Sequence, residues 1–484
     1  MKSVVIVGAG LAGLSLARSL RGHGFSVTIL EASQRSGGKA GADRIDGHYR
    51  EHGYHIFPAW YHNTRAILDE LGISLIEFDR FHYIRPGQPN RRVTMHAFNS
   101  LGAILHNIFH GLYPWHLMFL QSYFILDALA ERLSRKAFLD RISRTGMMHG
   151  RWYASDRIAQ MEGESTLKAS AIPAYEMSAM TAKLVTGFWL RNPTPFISIL
   201  RENMQTAFVD PLTRSVTDGG AEIHYGQRVE SIEMDEGGIA GFVTSDGQTH
   251  TADYYVVTTP LEVTRALLKT DVVERDPDLG NIEHLQAAPM TSLQLSLNRR
   301  LDNLPPEHVF FFGGRYGLSF IDLTSHWPDL ANTELSFIAS NFTPLRDLPE
   351  QDQFDFLFEE IRQYLPIDRS DIVDWCFKPN TDVPLFINTV AAWPNRPGPR
   401  RKNIPNLFLA GDWVRNGIDL ACMEGAVSAG MEAARQIGLD AGIDGIPAPA
   451  IPRRHPAWIV RLFTLVLLPA VIVVWLYSRL RGRT

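Results

Sequence analysis

The chain has 484 residues, 45% of them hydrophobic and 20% charged, with a formal net charge of -5. That length gives room for two or three domains and a large core, and the acid excess excludes a basic surface for nucleic acid. Cys376 and Cys422 form neither a metal-ligand nor a redox motif, and the 17 histidines include no His-Glu-x-x-His, so neither a metal centre nor a disulfide scaffold is expected.

Val4-Val5-Ile6-Val7 reads as a buried strand, and Gly8-Ala9-Gly10-Leu11-Ala12-Gly13 as its sharp turn into a helix. Gly8 permits the tight turn, Gly10 has no side chain to block a pyrophosphate, and Gly13 lets helix and strand pack closely. The helix start at Leu11 and Ala12 offers free backbone N–H groups to phosphates. The strand begins almost at Met1, which leaves no room for a secretory leader, so the body is expected in the cytoplasm. A second strand, Ser26 to Leu30, ends in Glu31. That acid lies about twenty residues downstream, where a carboxylate accepts bonds from the adenosine ribose hydroxyls. Strand, glycines, helix, strand and acid in this order predict dinucleotide binding.

The residues beyond Glu31 favour a flavin over a nicotinamide. Ser36-Gly37-Gly38-Lys39-Ala40-Gly41 is a second flexible loop on the phosphate side, and Glu51-His52-Gly53-Tyr54-His55-Ile56-Phe57 is a compact polar and aromatic segment ahead of a helix. Leu101 to Ala130 is aromatic and apolar, interrupted by His106, His110 and His116, and Pro114 is expected to kink or divide its helix. It reads either as a hydrocarbon entrance or membrane-facing patch, or as a buried helical core. Gly219-Gly220 closes a helix or turn. Strands are expected near Ala221–Tyr225, Arg228–Glu233, Ile239–Thr244 and Ala252–Thr259, with a hairpin turn at Gly237-Gly238. Thr291 to Leu297 has strand period, Phe310–Phe312 and Leu335–Ile338 are further strands, Gln351 to Tyr364 is helix-like, and Trp393 to Pro399 reads as a surface connection. Asn406 to Ala410 is a buried strand ending in Gly411-Asp412-Trp413. The small residues of Ala421 to Gly430 let a helix start approach a flat ring. Its N–H groups would stabilise negative charge at the flavin N1–C2 carbonyl edge.

On Val7–Gly13 with Glu31, Ser36–Gly41, Glu51–Phe57, Gly219–Ile223, Gln227–Ile232 and Phe408–Gly430, the chain resembles the FAD-dependent amine oxidase and phytoene desaturase superfamily. It is most similar to the carotenoid-desaturase and squalene-modifying side, and the resemblance runs to about residue 438. It implies an α/β fold in which a Rossmann-like FAD-binding domain is interleaved with a mixed-sheet and helical substrate domain. The FAD-binding parts would be 1–75, 216–288 and 401–438, the helical substrate segment 76–215 and a second substrate lobe 289–400. Glu31 would hold the ribose, Val229 would flank the adenine through its backbone, Asp412 would contact the ribityl-phosphate region, and Met423 would lie near the flavin. Gly8, Gly10, Leu11, Ala12, Gly13, Gly37, Gly38, Lys39, His55, Gly411 and Ala426 complete the expected cofactor contacts.

The chemistry this resemblance implies is hydride transfer to flavin N5 from a hydrophobic isoprenoid or polyene, such as a carotenoid precursor, with quinone, oxygen or another acceptor taking the electrons. Glu424, His55 and Arg265 are the candidate catalytic polar groups. The alternatives are an amine oxidase on the same frame, and a redox-neutral isoprenoid isomerase or hydratase.

Residues 439–457 are expected to form a linker, with Pro447 to Pro456 tethering rather than packing, and 458–478 a membrane-anchor helix. Leu462 to Tyr477 is an apolar run of 16 residues broken only by Thr464 and Pro469. As a helix it reaches about 24 Å, which Trp458 to Arg461 would extend. Arg453 and Arg454 flank one end, and Arg479, Arg481 and Arg483 the other, so its orientation is ambiguous. A transmembrane anchor is expected, with an interfacial helix or a packed soluble helix as alternatives. Membrane lipid is the implied partner.

Overall fold

The computed structural model describes residues 1–45, 48–132, 135–327 and 330–481; Arg483 lies outside them. A five-stranded parallel sheet is assembled from distant parts of the chain. Its strands are β1 (Lys2–Val7), β2 (Phe25–Glu31), β3 (Glu222–Tyr225), β4 (Tyr254–Val257) and β5 (Leu407–Leu409), in the spatial order β5-β4-β1-β2-β3. β4 and β5 are buried at every residue, as strands covered on both faces must be.

Helix α1 (Leu11–Leu20) leaves the glycine turn and α2 (His62–Glu70) comes after the Glu51 to Phe57 segment. The aromatic stretch divides at Gly111–Pro114 into α3 (Leu101–His110) and α4 (Trp115–Ala130). The two halves differ in burial. α3 exposes Leu101, Leu105 and Phe109, while α4 buries His116, Leu117, Met118, Leu120, Tyr123 and Phe124. Helix α5 (Met423–Asp440) crosses α1 so closely that a Cβ added at Gly430 would sit 2.2 Å from the Ala12 carbonyl oxygen.

A second, mixed sheet carries seven strands among the described residues. They run in the order Ile372–Pro379, Thr291–Leu297, Glu334–Ala339, Leu318–Asp322, Val309–Phe311, Arg80–Ile84 and Arg92–His96. Its core is aromatic, with Phe311 stacked on Tyr364 at 4.2 Å between ring centres.

The C-terminal region is held against the body. Pro447 to Pro456 does not hang free: Asn63 donates through Nδ2 to the Ala450 carbonyl at 2.9 Å and accepts the Ala450 N–H at 2.8 Å. A side-chain amide there satisfies a backbone that has no ladder of its own. Helix α6 (Ala457–Arg481) is long and apolar enough to cross a membrane. It lies along α4, burying Val460, Thr464, Val471 and Val474. Tyr123 donates its hydroxyl to the Thr464 carbonyl at 3.2 Å. Near the other end, Trp115 packs on Tyr477 and Trp152 on Trp475, with ring centres 5.5 and 5.3 Å apart.

Candidate functional site

The site begins at the end of β1. Gly8 has φ +105°, a conformation open to glycine. A Cβ at Gly13 would lie 2.1 Å from the Gly8 carbonyl oxygen, whereas one at Gly10 meets nothing within 4 Å among the described residues. Gly13 therefore seals helix against strand, and Gly10 borders open space. Across that space lies the second glycine loop. Gly37, at φ +106°, donates its N–H to the Ala9 carbonyl at 2.8 Å, and Gly10 and Gly37 form an isolated parallel bridge. Two backbones without side chains thus line one gap beside the start of α1 at Leu11 and Ala12, the arrangement a pyrophosphate requires.

Glu31 stands at the rim. Its Oε2 accepts the Ala9 N–H at 2.7 Å, and its Oε1 accepts the Ser33 N–H and hydroxyl, each at 2.8 Å. Val229 opens the next strand, Val229–Met234, and its side chain is buried in one core with Val7 and Leu30.

The second loop also reaches the C-terminal block. Lys39 donates to the Pro384 carbonyl at 2.6 Å and faces Asp412 and Glu262. Burial lowers the Lys39 pKa and the two carboxylates oppose that shift. Burial likewise raises the Asp412 pKa, against the charges of Lys39 and Arg396. Asp412 leaves β5 through Gly411, which has φ +146°. Arg396 then sets this turn: its guanidinium, 1% exposed, donates to the carbonyls of Asp412 and Trp413 at 2.9 Å and of Val414 at 2.8 Å. The expected surface connection from Trp393 to Pro399 therefore contains a buried structural cation. Nothing in that Pro-rich run signals it, because its partners come 16 to 18 residues later. Glu262 is equally silent in the sequence, since its meaning rests on Lys39 rather than on its own neighbours.

At the start of α5, Met423 and Ala426 are partly exposed while Glu424, Gly425 and Val427 are buried. Positions three apart share a helix face, so Met423 and Ala426 present an apolar surface together. Cys422 caps the helix, its sulfur accepting the Gly425 N–H at 3.3 Å.

The structure separates the three catalytic candidates. Glu424 points away from Met423 into the start of α2. Its Oε1 accepts the N–H (2.9 Å) and Nδ2 (2.8 Å) of Asn63, and its Oε2 accepts the N–H (2.9 Å) and hydroxyl (2.7 Å) of Thr64. Burial pushes its pKa up to about 7. With both oxygens engaged, it clasps two helices. Arg265, in the helix Leu261–Leu267, donates to the carbonyl of Ile282 at 3.2 and 2.8 Å and to that of Leu285. It staples a 3-10 turn. His55 borders a small cavity with Glu51, Glu202, Tyr54, Met204, Trp327 and four aliphatic residues, its Nδ1 3.8 Å from Glu51. Beneath it, Tyr54 bonds the Ser319 hydroxyl at 2.6 Å and the ring of His308, whose pKa burial lowers to about 3. His308 then stays neutral across the physiological range.

The sequence profile of the family described as flavin containing amine oxidoreductase matches residues 11–438. The chain is 24% identical over 464 residues to the 15-cis-phytoene desaturase, chloroplastic/chromoplastic, of Arabidopsis thaliana, covering 90% of this chain and 80% of that one. It is 24% identical over 470 residues to the 15-cis-phytoene desaturase of Synechococcus elongatus, covering 90% and 95%. Among solved structures, cyclohexylamine oxidase from Brevibacterium oxydans matches with a TM-score of 0.66 at 15% identity, covering 91% of this chain and 99% of that one. That last likeness is one of fold.

Proposed function

Since this chain belongs to the flavin containing amine oxidoreductase family and is an FAD-dependent oxidoreductase, we propose that it desaturates a hydrophobic isoprenoid of the carotenoid-precursor class. The observation that carries this reading is its similarity, over 90% of its length, to 15-cis-phytoene desaturases of plants and a cyanobacterium.

FAD supplies the two-electron acceptor, at flavin N5. The chain's own residues bind and orient. Gly8, Gly10, Gly37 and Gly38, with the α1 start, take the pyrophosphate, and Glu31 takes the adenosine ribose beside Val229. Asp412, fixed by Arg396 and balanced by Lys39, takes the ribityl-phosphate side. Met423 and Ala426 give the ring an apolar neighbour, and His55 is the polar candidate near the reacting centre. An aromatic wall supports an oily substrate: Phe81 stacks on Phe196 at 4.7 Å and Tyr83 on Phe310 at 5.2 Å, between the second sheet and α4. Binding a hydrocarbon against apolar side chains needs no charge pairing. A quinone, oxygen or another acceptor takes the electrons onward.

The apolar outer face of α6, with Phe463, Val466 and Val473 each 59–69% exposed, joins the exposed residues of α3 as a surface for lipid. With its inner face occupied by α4, α6 suits a helix lying in the interface better than one crossing it.

Incubation of the FAD-loaded protein with 15-cis-phytoene in liposomes containing a quinone tests the reading. The expected product is lighter by whole hydrogen pairs. An unchanged polyene, alongside conversion of an amine to its aldehyde, overturns the reading in favour of amine oxidation. A polyene isomerised or hydrated without electron transfer overturns it in favour of redox-neutral chemistry.

A further inference from the structure

Where α4 ends and α6 begins, a cavity of about 710 Å3 opens on the surface. Arg132, Arg135 and Glu131 line it from the α4 side, and Trp458, Arg461 and Leu462 from the α6 side. Three guanidiniums therefore meet one carboxylate. That carboxylate is already shared: Glu131 pairs with Arg135 at 3.2 Å and with Arg151 at 2.9 Å. The nearby Asp127, which pairs with Arg461 at 3.3 Å, also accepts the Tyr153 hydroxyl at 2.8 Å and lies 2.7 Å from Arg151. Arg132 has no ion-pair partner among the described residues. The rim is apolar, with Trp458 70% and Leu462 56% exposed.

We propose that this cavity binds the phosphate headgroup of an anionic phospholipid, whose acyl chains run over the exposed apolar face of α6. Guanidinium forks match phosphate oxygens in pairs, and Arg gives up water more readily than Lys. An indole beside a basic pocket marks the depth where headgroup and hydrocarbon meet. The cavity supplies both halves of an amphiphile's surface, a cationic floor and an oily lip. The proposal rests on the reading that α6 lies on a membrane, and it specifies which lipid that contact selects.

Flotation of the full-length FAD-loaded protein with neutral phosphatidylcholine vesicles, and with vesicles containing phosphatidylglycerol, tests it. The expected result is about ten-fold tighter binding to the anionic vesicles, reduced to the neutral level in the Arg132→Gln/Arg135→Gln variant. A control variant, Arg362→Gln/Arg369→Gln, removes the same charge from the surface just beyond the helix Glu350–Ile361 and is expected to keep the preference. Inorganic phosphate at matched ionic strength is expected not to displace the protein. Unchanged flavin content and melting temperature establish that each variant is folded.

Equal loss in both double variants shows diffuse charge and overturns the site. Displacement by inorganic phosphate shows a free-anion site and overturns the lipid assignment. Equal binding to neutral and anionic vesicles overturns the headgroup site while the membrane reading stands. Binding to neither removes the membrane reading, and the proposal with it.

Discussion

Glu424 Oε2 accepts both the backbone N–H of Thr64, at 2.9 Å, and its hydroxyl, at 2.7 Å. The first turn of α2 thus hangs from the first turn of α5, 360 residues away in the chain. Burial raises this carboxyl from 4.5 to about 7. Between those values the folded protein holds a proton that the unfolded chain has released. The resulting stability is fully present below pH 4.5 and is lost as the pH rises through about 7. Its size is on the order of 3 kcal/mol. Glu424→Gln is expected to remove this slope from the difference between variant and wild-type melting temperatures, while leaving the pH dependence of flavin reduction unchanged. Parallel melting profiles, or a shifted reduction profile, contradict the clasp.

Gly10 and Gly13 make a matched pair of tests. A Cβ at Gly13 overlaps the Gly8 carbonyl at 2.1 Å, so Gly13→Ala is expected to destabilise the apoprotein by about 3 kcal/mol. Gly10 has φ -74° and open space in place of a Cβ, so Gly10→Ala is expected to melt like wild type. The same methyl enters the phosphate gap and weakens FAD binding by about two orders of magnitude. Calorimetry of the apoproteins and a flavin fluorescence titration read the two effects. Normal FAD affinity in Gly10→Ala places the pyrophosphate elsewhere.

Arg396 bonds three consecutive carbonyls, from Asp412 to Val414. Arg396→Met leaves those oxygens buried without their donors, and urea unfolding should show a loss of about 3 kcal/mol. Arg396→Lys restores the charge but not the fork and should recover little of it. Both variants should hold FAD more weakly, because the Asp412 turn loosens. Full recovery by Lys argues that charge alone fixes the turn.

Helix α6 has two faces with opposite expected phenotypes. Deletion from Ala457 uncovers Tyr123, Leu129 and Ala130 on the body, so the truncated protein is expected to aggregate rather than become freely soluble. Phe463→Ser/Val466→Ser/Val473→Ser changes only the outer face and should retain flavin content and melting temperature while moving the protein off membranes. A soluble, fully stable truncation shows that the packed face contributes nothing.

The glycine fingerprint, Glu31 and the β5–Asp412 turn are legible in the sequence because backbone geometry demands particular residue types in a fixed local order. Thr291–Leu297 and Ile239–Thr244 emerge as strands at the expected residues, since period and turn glycines are local signals. Arg396 and the Asn63–Ala450 bonds are not legible, because their partners are set by tertiary contact. Glu424 comes directly after Met423 in sequence, but one residue turns a helix by about 100°, so the two side chains meet different neighbours. In α6, apolar content alone does not distinguish a face against lipid from a face against α4. Its buried positions 460, 464, 471 and 474 fall at three-, four- and seven-residue spacings, the pattern of a packed helix.

Whether a polyene reduces this flavin can be read in one experiment: anaerobic mixing of the FAD-loaded protein with 15-cis-phytoene in lipid micelles, watched at the visible flavin band. The polyene is expected to bleach the flavin, while putrescine and cyclohexylamine leave it oxidised. Bleaching by an amine with no response to the polyene contradicts desaturation.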